Sequence, residues 1–262
     1  MKKEMYSSEV TLLRDTFRRL LRRHAKTNIV KLIDKTHPSD LAQIFRYFND
    51  TEQDLIFSSM LPSEETVKFL YELDESIATR LIESETADRL AKIMEEASSN
   101  EQAFLMGLVS DDFASSVIDL LQAEEQEELE EMMAYPEDSA GILMYTDVFT
   151  LHEETKAREA IYALQDQEDA EMVFYLYTLD DDGRLTGVIS LRDLVTTPSE
   201  TMLKDIMSKN IQAVRPETDQ EEVARIVSQY NFLAVPVVDA SEKLLGIVTV
   251  DSVVDVIREE AT

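Results

Sequence analysis

The 262-residue sequence predicts a multidomain protein in which an all-α, superhelical N-terminal domain precedes two copies of a smaller α/β unit. Three observations predict this architecture. Apolar residues of the first half recur at three- and four-residue spacing, Pro136 and Gly141 mark a change of character, and the second half repeats itself. We place the domains at residues 1–134, 135–200 and 201–262.

The first half, from about Ser39 to Met133, reads as a series of short helical units. Examples are SDLAQIFRYF, TEQDLIFSSM and NEQAFLMGLV, and most units open with Ser, Thr, Asp or Asn followed by acids. Such openings are typical of helix N-caps with carboxylates at the positive end of the helix dipole. Helices this short are marginal alone and must bury their apolar stripes against neighbours. We therefore expect a compact superhelix of stacked helices.

Residues 1–30 predict one longer helix with a basic character. Its arginines contrast with the acidic remainder of the chain: Arg14, Arg18, Arg19, Arg22 and Arg23. A basic helix can indicate a lipid or nucleic-acid partner. We expect this helix instead to dock on the acidic surface of the protein itself.

The second half contains an internal repeat. Placing Gly187 on Gly246 aligns Asp180 with Asp239, and aligns the segments LTGVISL and LLGIVTV. Each copy predicts the order strand, helix, strand, turn, strand, helix. Two such copies must bury their sheets against each other or against a partner.

Composition narrows the function classes. Lys and Arg total 25 against 54 Asp and Glu, a net charge of −29. Nucleic acid is therefore a poor partner, whereas a field of this sign accumulates cations. A plain acidic surface that maintains solubility stays an open alternative.

Several absences argue against an enzyme. The five glycines cannot form a P-loop or a dinucleotide fingerprint, the three histidines are scattered, and there is no cysteine. No apolar run approaches the roughly 18–20 residues that span a bilayer. We expect a protein without catalytic activity that is located in the cytosol.

The pattern h-x-G-h-h-(S/T)-h in LTGVISL and LLGIVTV resembles that of CBS domains, here as a tandem (Bateman) pair. The acidic helical units, the junction YPEDSAGILM and the domain order make the whole chain resemble the cytosolic region of MgtE-type magnesium transporters. The C-terminal DVIREEAT resembles the start of that family's connecting, or plug, helix.

This resemblance implies a Mg²⁺-sensing regulatory region at the cytoplasmic face of the membrane. It implies a homodimer through the CBS domains that closes around Mg²⁺ and gates a pore. The other partner would be the transmembrane domain of the same protein, which this chain lacks.

The resemblance also implies a set of metal ligands. Acids open the first helix of the second CBS domain, an amide follows that helix, three acids share one face of the last helix, and one acid lies in the helical domain: Asp219, Glu221, Asn231, Asp251, Asp255, Glu259 and Glu101. Two alternatives stay open. Thr218-x-x-Glu221 is also a capping box, and the face of the last helix can simply be solvated.

An adenine nucleotide, ATP or a relative, is the second ligand that the resemblance implies. The first copy has a complete G-h-h-(S/T)-x-x-D segment from Gly187 to Asp193, whereas the second has Ser252 in place of the aspartate. The candidate residues are Ser190, Arg192, Asp193, Phe232 and Thr249. The alternative function is a free-standing adenine-nucleotide-sensing CBS protein whose acidic domain binds other proteins.

Overall fold

The structure, a computed structural model, describes residues 2–166 and 174–260. The side chains of residues 2–9, 255 and 257–260 lie outside the described part. The chain divides into two compact units, Met1–Glu130 and Glu131–Thr262. Within the described residues no helix combines the length and the apolar character needed to cross a bilayer.

The first unit is entirely helical, as the sequence predicts. Two helices, α1 (Lys2–Arg22) and α2 (Lys26–Ile33), precede a run of short ones: α3 Pro38–Phe45, α4 Asp50–Phe57, α5 Glu64–Tyr71, α6 Glu75–Glu83, α7 Ala87–Met94, α8 Ser99–Gly107, α9 Asp111–Ile118 and α10 Ala123–Met133. Alternate helices stack, with α3 on α5, α5 on α7 and α7 on α9. This stacking confirms the superhelical arrangement.

Side chains at the helix starts behave as the sequence predicts. Asn49, Ser63 and Thr86 each accept a hydrogen bond from a backbone N–H of the helix that follows. The core between the helices is apolar, and Phe45 and Phe69 meet edge to face with centroids 4.9 Å apart. Capping thus fixes where these three helices begin, and the buried stripe fixes which face turns inward.

A glutamine clip recurs at three of these helices. The Nε2 of Gln102 donates to the carbonyls of Met94 and Ala97, at 2.8 and 3.3 Å. Gln53 and Gln126 make the same pair of bonds to carbonyls eight and five residues before them. Each clip gives a second donor to the carbonyl of the last residue of the preceding helix, which already accepts a backbone N–H, and ties that residue to the turn that follows it.

Helix α1 is held by apolar contacts rather than by ion pairs. Phe17 is fully buried and its ring lies 6.1 Å from that of Phe48. Arg18 donates to the Tyr47 carbonyl at 2.7 Å, and the Arg14 guanidinium lies over the Tyr47 ring while pairing with its neighbour Asp15. The expectation that the arginines dock on acids elsewhere in the protein is therefore wrong for these two residues.

The first copy of the repeat follows the predicted order. A short helix α11 (Ala140–Leu143) precedes β1 (Thr150–His152), α12 (Ala157–Gln165), β2 (Tyr175–Leu179), β3 (Leu185–Ser190) and α13 (Leu191–Thr196). Strand β1 pairs parallel with β2, and β2 pairs antiparallel with β3.

The second copy differs at its start. A short 3-10 turn (Leu203–Asp205) leads to α14 (Gln220–Tyr230), β4 (Ala234–Val238), β5 (Leu244–Thr249) and α15 (Val250–Glu260). Where the sequence predicts a first strand, the described structure has a single parallel bridge between Val214 and Val237. Two backbone hydrogen bonds form this bridge, from the Val214 N–H to the Pro236 carbonyl and from the Val238 N–H to the Val214 carbonyl, both at 3.0 Å.

The two copies exchange their leading segments. Tyr145, which lies before β1 in the first copy, exchanges both backbone hydrogen bonds with Ile247 of the second at 2.8 and 2.9 Å. Ser208, which lies before α14 in the second copy, does the same with Val188 of the first. A Cβ at Gly246 would lie 2.5 Å from the Tyr145 carbonyl oxygen, so only glycine permits this approach.

The interface between the copies is apolar. Tyr177 of β2, Ala234 of β4 and Ile247 of β5 form one buried cluster. The sheets therefore bury these faces against each other. The sequence had left open whether they would do so or would pack against a partner.

Candidate functional site

The junction preceding the first CBS-like copy wraps over the start of α14. The backbone N–H of Ala140 donates to Thr218 at 2.7 Å, and that of Gly141 donates to Pro216 at 2.8 Å. A Cβ on Gly141 would lie 2.4 Å from the ring of Tyr135, so a larger residue would collide with that ring. These contacts hold the junction against the N-terminal end of α14.

Acidic residues collect at this end of α14. Asp138 accepts from Gln220 twice, through its carbonyl at 2.9 Å from the backbone N–H and through Oδ1 at 3.2 Å from Nε2. Asp219 is the N-cap of α14 and accepts the Glu221 N–H at 2.8 Å. Asp138, Asp219 and Glu221 are all exposed. They present oxygen ligands of the kind Mg²⁺ prefers.

The predicted capping box at Thr218 and Glu221 is wrong in its first member. The helix begins one residue later, at Gln220, and Asp219 provides the cap. The Thr218 hydroxyl instead accepts the Arg215 N–H at 3.0 Å. An aspartate reaches the second N–H beyond it as readily as a threonine reaches the third, which the spacing alone could not resolve.

Asn231 lies past the opposite end of α14. It adopts the left-handed conformation, with φ 53° and ψ 42°, and ends the helix. A helix rises about 1.5 Å per residue, so Asp219 and Asn231 are separated by about 18 Å along the axis. They cannot ligate the same ion within one chain. Phe232, next to Asn231, stacks on Tyr230 with centroids 5.4 Å apart.

Helix α15 carries the other predicted acids. Asp251 lies exposed in the first turn of this helix, which packs against α14. The backbones of Asp255 and Glu259 belong to α15, but their side chains lie outside the described residues.

Glu101 already has local partners. Its Oε2 accepts from the backbone N–H of Ser98 at 2.9 Å and from the Ser98 hydroxyl at 2.6 Å. Glu52 and Glu125 accept in the same way from the backbone N–H three residues before them. The capping role is therefore repeated through the helical unit and accounts for Glu101 without a metal.

No three acidic or histidine side chains among the described residues converge on one point that could hold a metal ion. Of the predicted ligands whose side chains are described, Asp219, Glu221, Asn231 and Asp251 are exposed and Glu101 is partly buried. Of the residues that were not predicted, Asp138 is the one that lies beside them. The junction motif YPEDSAGILM contains Asp138, but spacing along the chain does not show that this segment folds back onto α14.

The residues predicted to bind a nucleotide in the first copy, Ser190, Arg192 and Asp193, lie at the start of α13. The Ser190 hydroxyl accepts the Asp193 N–H at 3.1 Å and donates to its Oδ2 at 2.7 Å. Arg192 and Asp193 are exposed. A carboxylate and a guanidinium side by side can accept from sugar hydroxyls and bind phosphate, respectively.

The corresponding corner of the second copy is closed. Thr249 is fully buried, Ser252 is 4% exposed, and their hydroxyl oxygens lie 3.4 Å apart. Serine in place of aspartate leaves a small neutral pair inside the protein. The two copies are thus unequal: the second has the buried Ser252 at the position of Asp193 and the exposed Asp251 at the position of Arg192.

Comparison with known proteins identifies both halves. The family profile of the MgtE intracellular N domain matches residues 36–138, and that of the CBS domain matches residues 140–200 and 203–259. The magnesium transporter MgtE of Thermus thermophilus is 34% identical over 244 residues, which are 88% of this chain and 52% of that protein. The MgtE of Enterococcus faecalis is 42% identical over 140 residues, 53% of this chain and 31% of that protein.

Solved structures agree over nearly the whole chain. A crystal structure of the cytosolic domain of the Mg²⁺ channel MgtE in complex with ATP has a TM-score of 0.87 and 31% identity, covering 93% of this chain and 99% of that one. The soluble part of a magnesium transporter has a TM-score of 0.83 and 27% identity, covering 97% and 100%.

The fold is thus a helical domain followed by a tandem CBS pair. The chain belongs to the MgtE family, and it corresponds to that family's intracellular N domain and CBS domains. It spans about half the length of the Thermus thermophilus relative.

Proposed function

We propose that this chain is the Mg²⁺-sensing regulatory region of a magnesium transporter, acting at the cytoplasmic face of the membrane without catalysis. The observation that carries the proposal is the exposed acidic corner at the start of α14, where Asp138, Asp219 and Glu221 lie, in a chain of net charge −29 from this family. Asp251, on the neighbouring α15, adds a second exposed carboxylate.

The coordination chemistry of Mg²⁺ is compatible with acids that are spread over several surfaces. Mg²⁺ takes six oxygens and keeps several waters, so one or two carboxylates from each surface suffice. Two facing carboxylates about 5 Å apart repel by about 3 kcal/mol at an effective dielectric constant near 20. A Mg²⁺ ion between them turns that repulsion into attraction. Acidic surfaces therefore separate without the cation and close around it, which would gate the pore.

The second ligating surface belongs, in this proposal, to a second copy of the chain. A homodimer through the CBS half is supported by apolar side chains that its helices leave exposed: Tyr162 at 63%, Val195 at 68%, Tyr230 at 47%, Leu233 at 43% and Val254 at 37%. Symmetric pairing of such surfaces removes them from water. The remaining partner is the transmembrane domain of the full protein.

Thermal melts test the sensor. We expect MgCl₂ at millimolar concentration to raise the melting temperature more than NaCl at the same ionic strength. Binding to the folded form at ten times Kd stabilises by about 1.4 kcal/mol. Equal protection by both salts would show screening of a solvated acidic surface, and the sensor proposal would fail.

A second candidate function is adenine-nucleotide sensing. The exposed Ser190–Asp193 pair beside Arg192 favours it, and a relative of this fold was crystallised with ATP. Stabilisation by ATP without any specific effect of Mg²⁺ would favour the free-standing nucleotide sensor over the transporter region.

A further inference from the structure

The charge of this protein is unevenly divided along the chain. Residues 1–35 contain ten Lys and Arg against four Asp and Glu, whereas residues 36–262 contain 15 against 50. The basic segment is helices α1 and α2 with their flanking residues. Its sign is opposite to that of everything that follows.

The outer face of α1 combines cations with an apolar side chain. Leu12 and Arg19 are seven residues apart and therefore share one side of α1, and Arg23 follows directly after the helix. Leu12 is 69% exposed, and both arginines are exposed. Phe17 and Leu21, on the opposite side, are buried in the helical unit. Packing therefore fixes this face toward solvent.

Helix α2 extends the patch. Together the two helices, which pack on each other, carry six exposed cations: Arg19, Arg22, Arg23, Lys26, Lys31 and Lys35. None of the six forms an ion pair within the described part of the chain, although acids outnumber cations there. Of the four acids in residues 1–35, Asp15 pairs with Arg14, Asp34 is exposed, and Glu4 and Glu9 have side chains outside the described residues. The patch keeps its net positive charge.

We propose that this basic face of α1 and α2 binds an anionic lipid surface. A flat layer of acidic headgroups can contact cations of two helices at once, and Leu12 can enter the boundary between headgroups and acyl chains. Acids further than about 8 Å from the surface are screened at physiological ionic strength, so the overall negative charge does not prevent the contact.

The relatives of this chain are magnesium transporters, which act in a lipid bilayer, so a lipid surface is a partner that the family provides. Lipid binding by this face requires family membership but no Mg²⁺ sensing. The rival occupant is the acidic surface of a second copy of the chain, to which charge alone is equally complementary. Leu12 favours lipid, since an exposed leucine gains nothing from carboxylates.

Vesicle sedimentation of the 262-residue protein tests the proposal. We expect binding to vesicles containing about one third phosphatidylserine or phosphatidylglycerol and none to pure phosphatidylcholine. Each basic residue at such a surface contributes about fivefold to the affinity, so R19Q/R23Q should bind about 25-fold more weakly. These side chains are exposed, so the double variant should fold normally.

A matched control removes two exposed cations elsewhere, as K92Q/K209Q, and should leave vesicle binding unchanged. Leu12→Ala should weaken binding without changing its salt dependence. The proposal is overturned if anionic vesicles are not bound, or if R19Q/R23Q and K92Q/K209Q behave alike. It is also overturned if sedimentation without vesicles shows self-association that R19Q/R23Q abolishes, since the occupant would then be a second copy. None of these results depends on a response to Mg²⁺.

Discussion

Asp180 and Asp239 hold equivalent turns in the two CBS copies by the same pair of hydrogen bonds. The Oδ1 of Asp180 accepts from the N–H groups of Asp182 and Arg184 at 2.9 and 2.8 Å. That of Asp239 accepts from Ser241 and Lys243, both at 2.8 Å. The repeat is therefore conserved within the chain down to individual side-chain contacts.

The two copies differ at one position of this turn, where the first has Gly183 and the second has Glu242. Both copies require the left-handed conformation there, which Gly183 adopts with φ 77° and Glu242 with φ 64°. A side chain in this conformation costs about 1–2 kcal/mol. We expect Glu242→Gly to be about 1 kcal/mol more stable to urea than Glu242→Ala. Both variants lose the exposed ion pair with Arg215, so equal stabilities would contradict the strain.

The glutamine clip predicts a large loss from a single buried amide. Gln102 is 7% exposed and satisfies two carbonyls at the end of α7. Gln102→Ala should lower the free energy of unfolding by about 1–2 kcal/mol, because it removes both hydrogen bonds while the Met94 carbonyl still accepts the Ala97 N–H. Gln122→Ala, at an exposed position in the same unit, is the control and should change stability by less than about 0.5 kcal/mol.

Replacing Tyr177 should raise the stability of the protein rather than lower it. Its hydroxyl is buried without a hydrogen-bond partner among the described residues, and burial raises the pKa of this phenol well above its ordinary value. Tyr177→Phe should stabilise the protein by about 1 kcal/mol in chemical denaturation. Tyr175→Phe, at a partly exposed neighbouring position, should change little.

The raised pKa of Tyr177 also makes the stability of the protein depend on pH. A folded-state pKa above the unfolded value of about 10 contributes stability below pH 10 and loses it as the pH rises further. Wild type should therefore lose stability above pH 10 more steeply than Tyr177→Phe. Parallel pH profiles of the two proteins would contradict the burial of this hydroxyl.

The sequence predicted the helical units well because their signals are local. The opening residues and the three- and four-residue spacing lie within each unit, and structure places α4 over Asp50–Phe57 and α8 over Ser99–Gly107 accordingly. The internal repeat was equally visible, since Gly187 and Gly246 require small residues for close contacts.

The candidate sites were less predictable because they depend on contacts between distant segments. Asp138 meets Gln220 across 82 residues, and no spacing rule connects them. Thr249 matched the nucleotide pattern, yet its burial follows from how β5 and α15 pack. Glu101 matched a ligand position, but its actual partner is three residues away in a capping box.

Nucleotide binding should depend on the first copy alone. Asp193→Ala should abolish or strongly weaken ATP binding in titration calorimetry, since it removes the exposed carboxylate while Ser190 still caps α13. Thr249→Val is the control in the closed corner and should leave the heats unchanged, because this hydroxyl is buried. Equal heats for Asp193→Ala and wild type, or no heat in either, would remove the nucleotide site.

Asp219 allows helix capping and metal binding to be separated. Its carboxylate caps α14, so Asp219→Ala should destabilise the protein by about 0.5–2 kcal/mol even without Mg²⁺. Asparagine caps a helix as well as aspartate but carries no charge. Asp219→Asn should therefore melt like wild type in NaCl.

In MgCl₂ at matched ionic strength, Asp219→Asn should lose most of the additional stabilisation that wild type gains. Asp111→Asn is the matched control, because Asp111 is also exposed at a helix start but belongs to the helical unit. It should keep the full response. If both asparagine variants keep the response of wild type, the corner at α14 is not a ligand site. If both lose it equally, the response reflects net charge rather than ligation, since a specific site depends on which acid is removed.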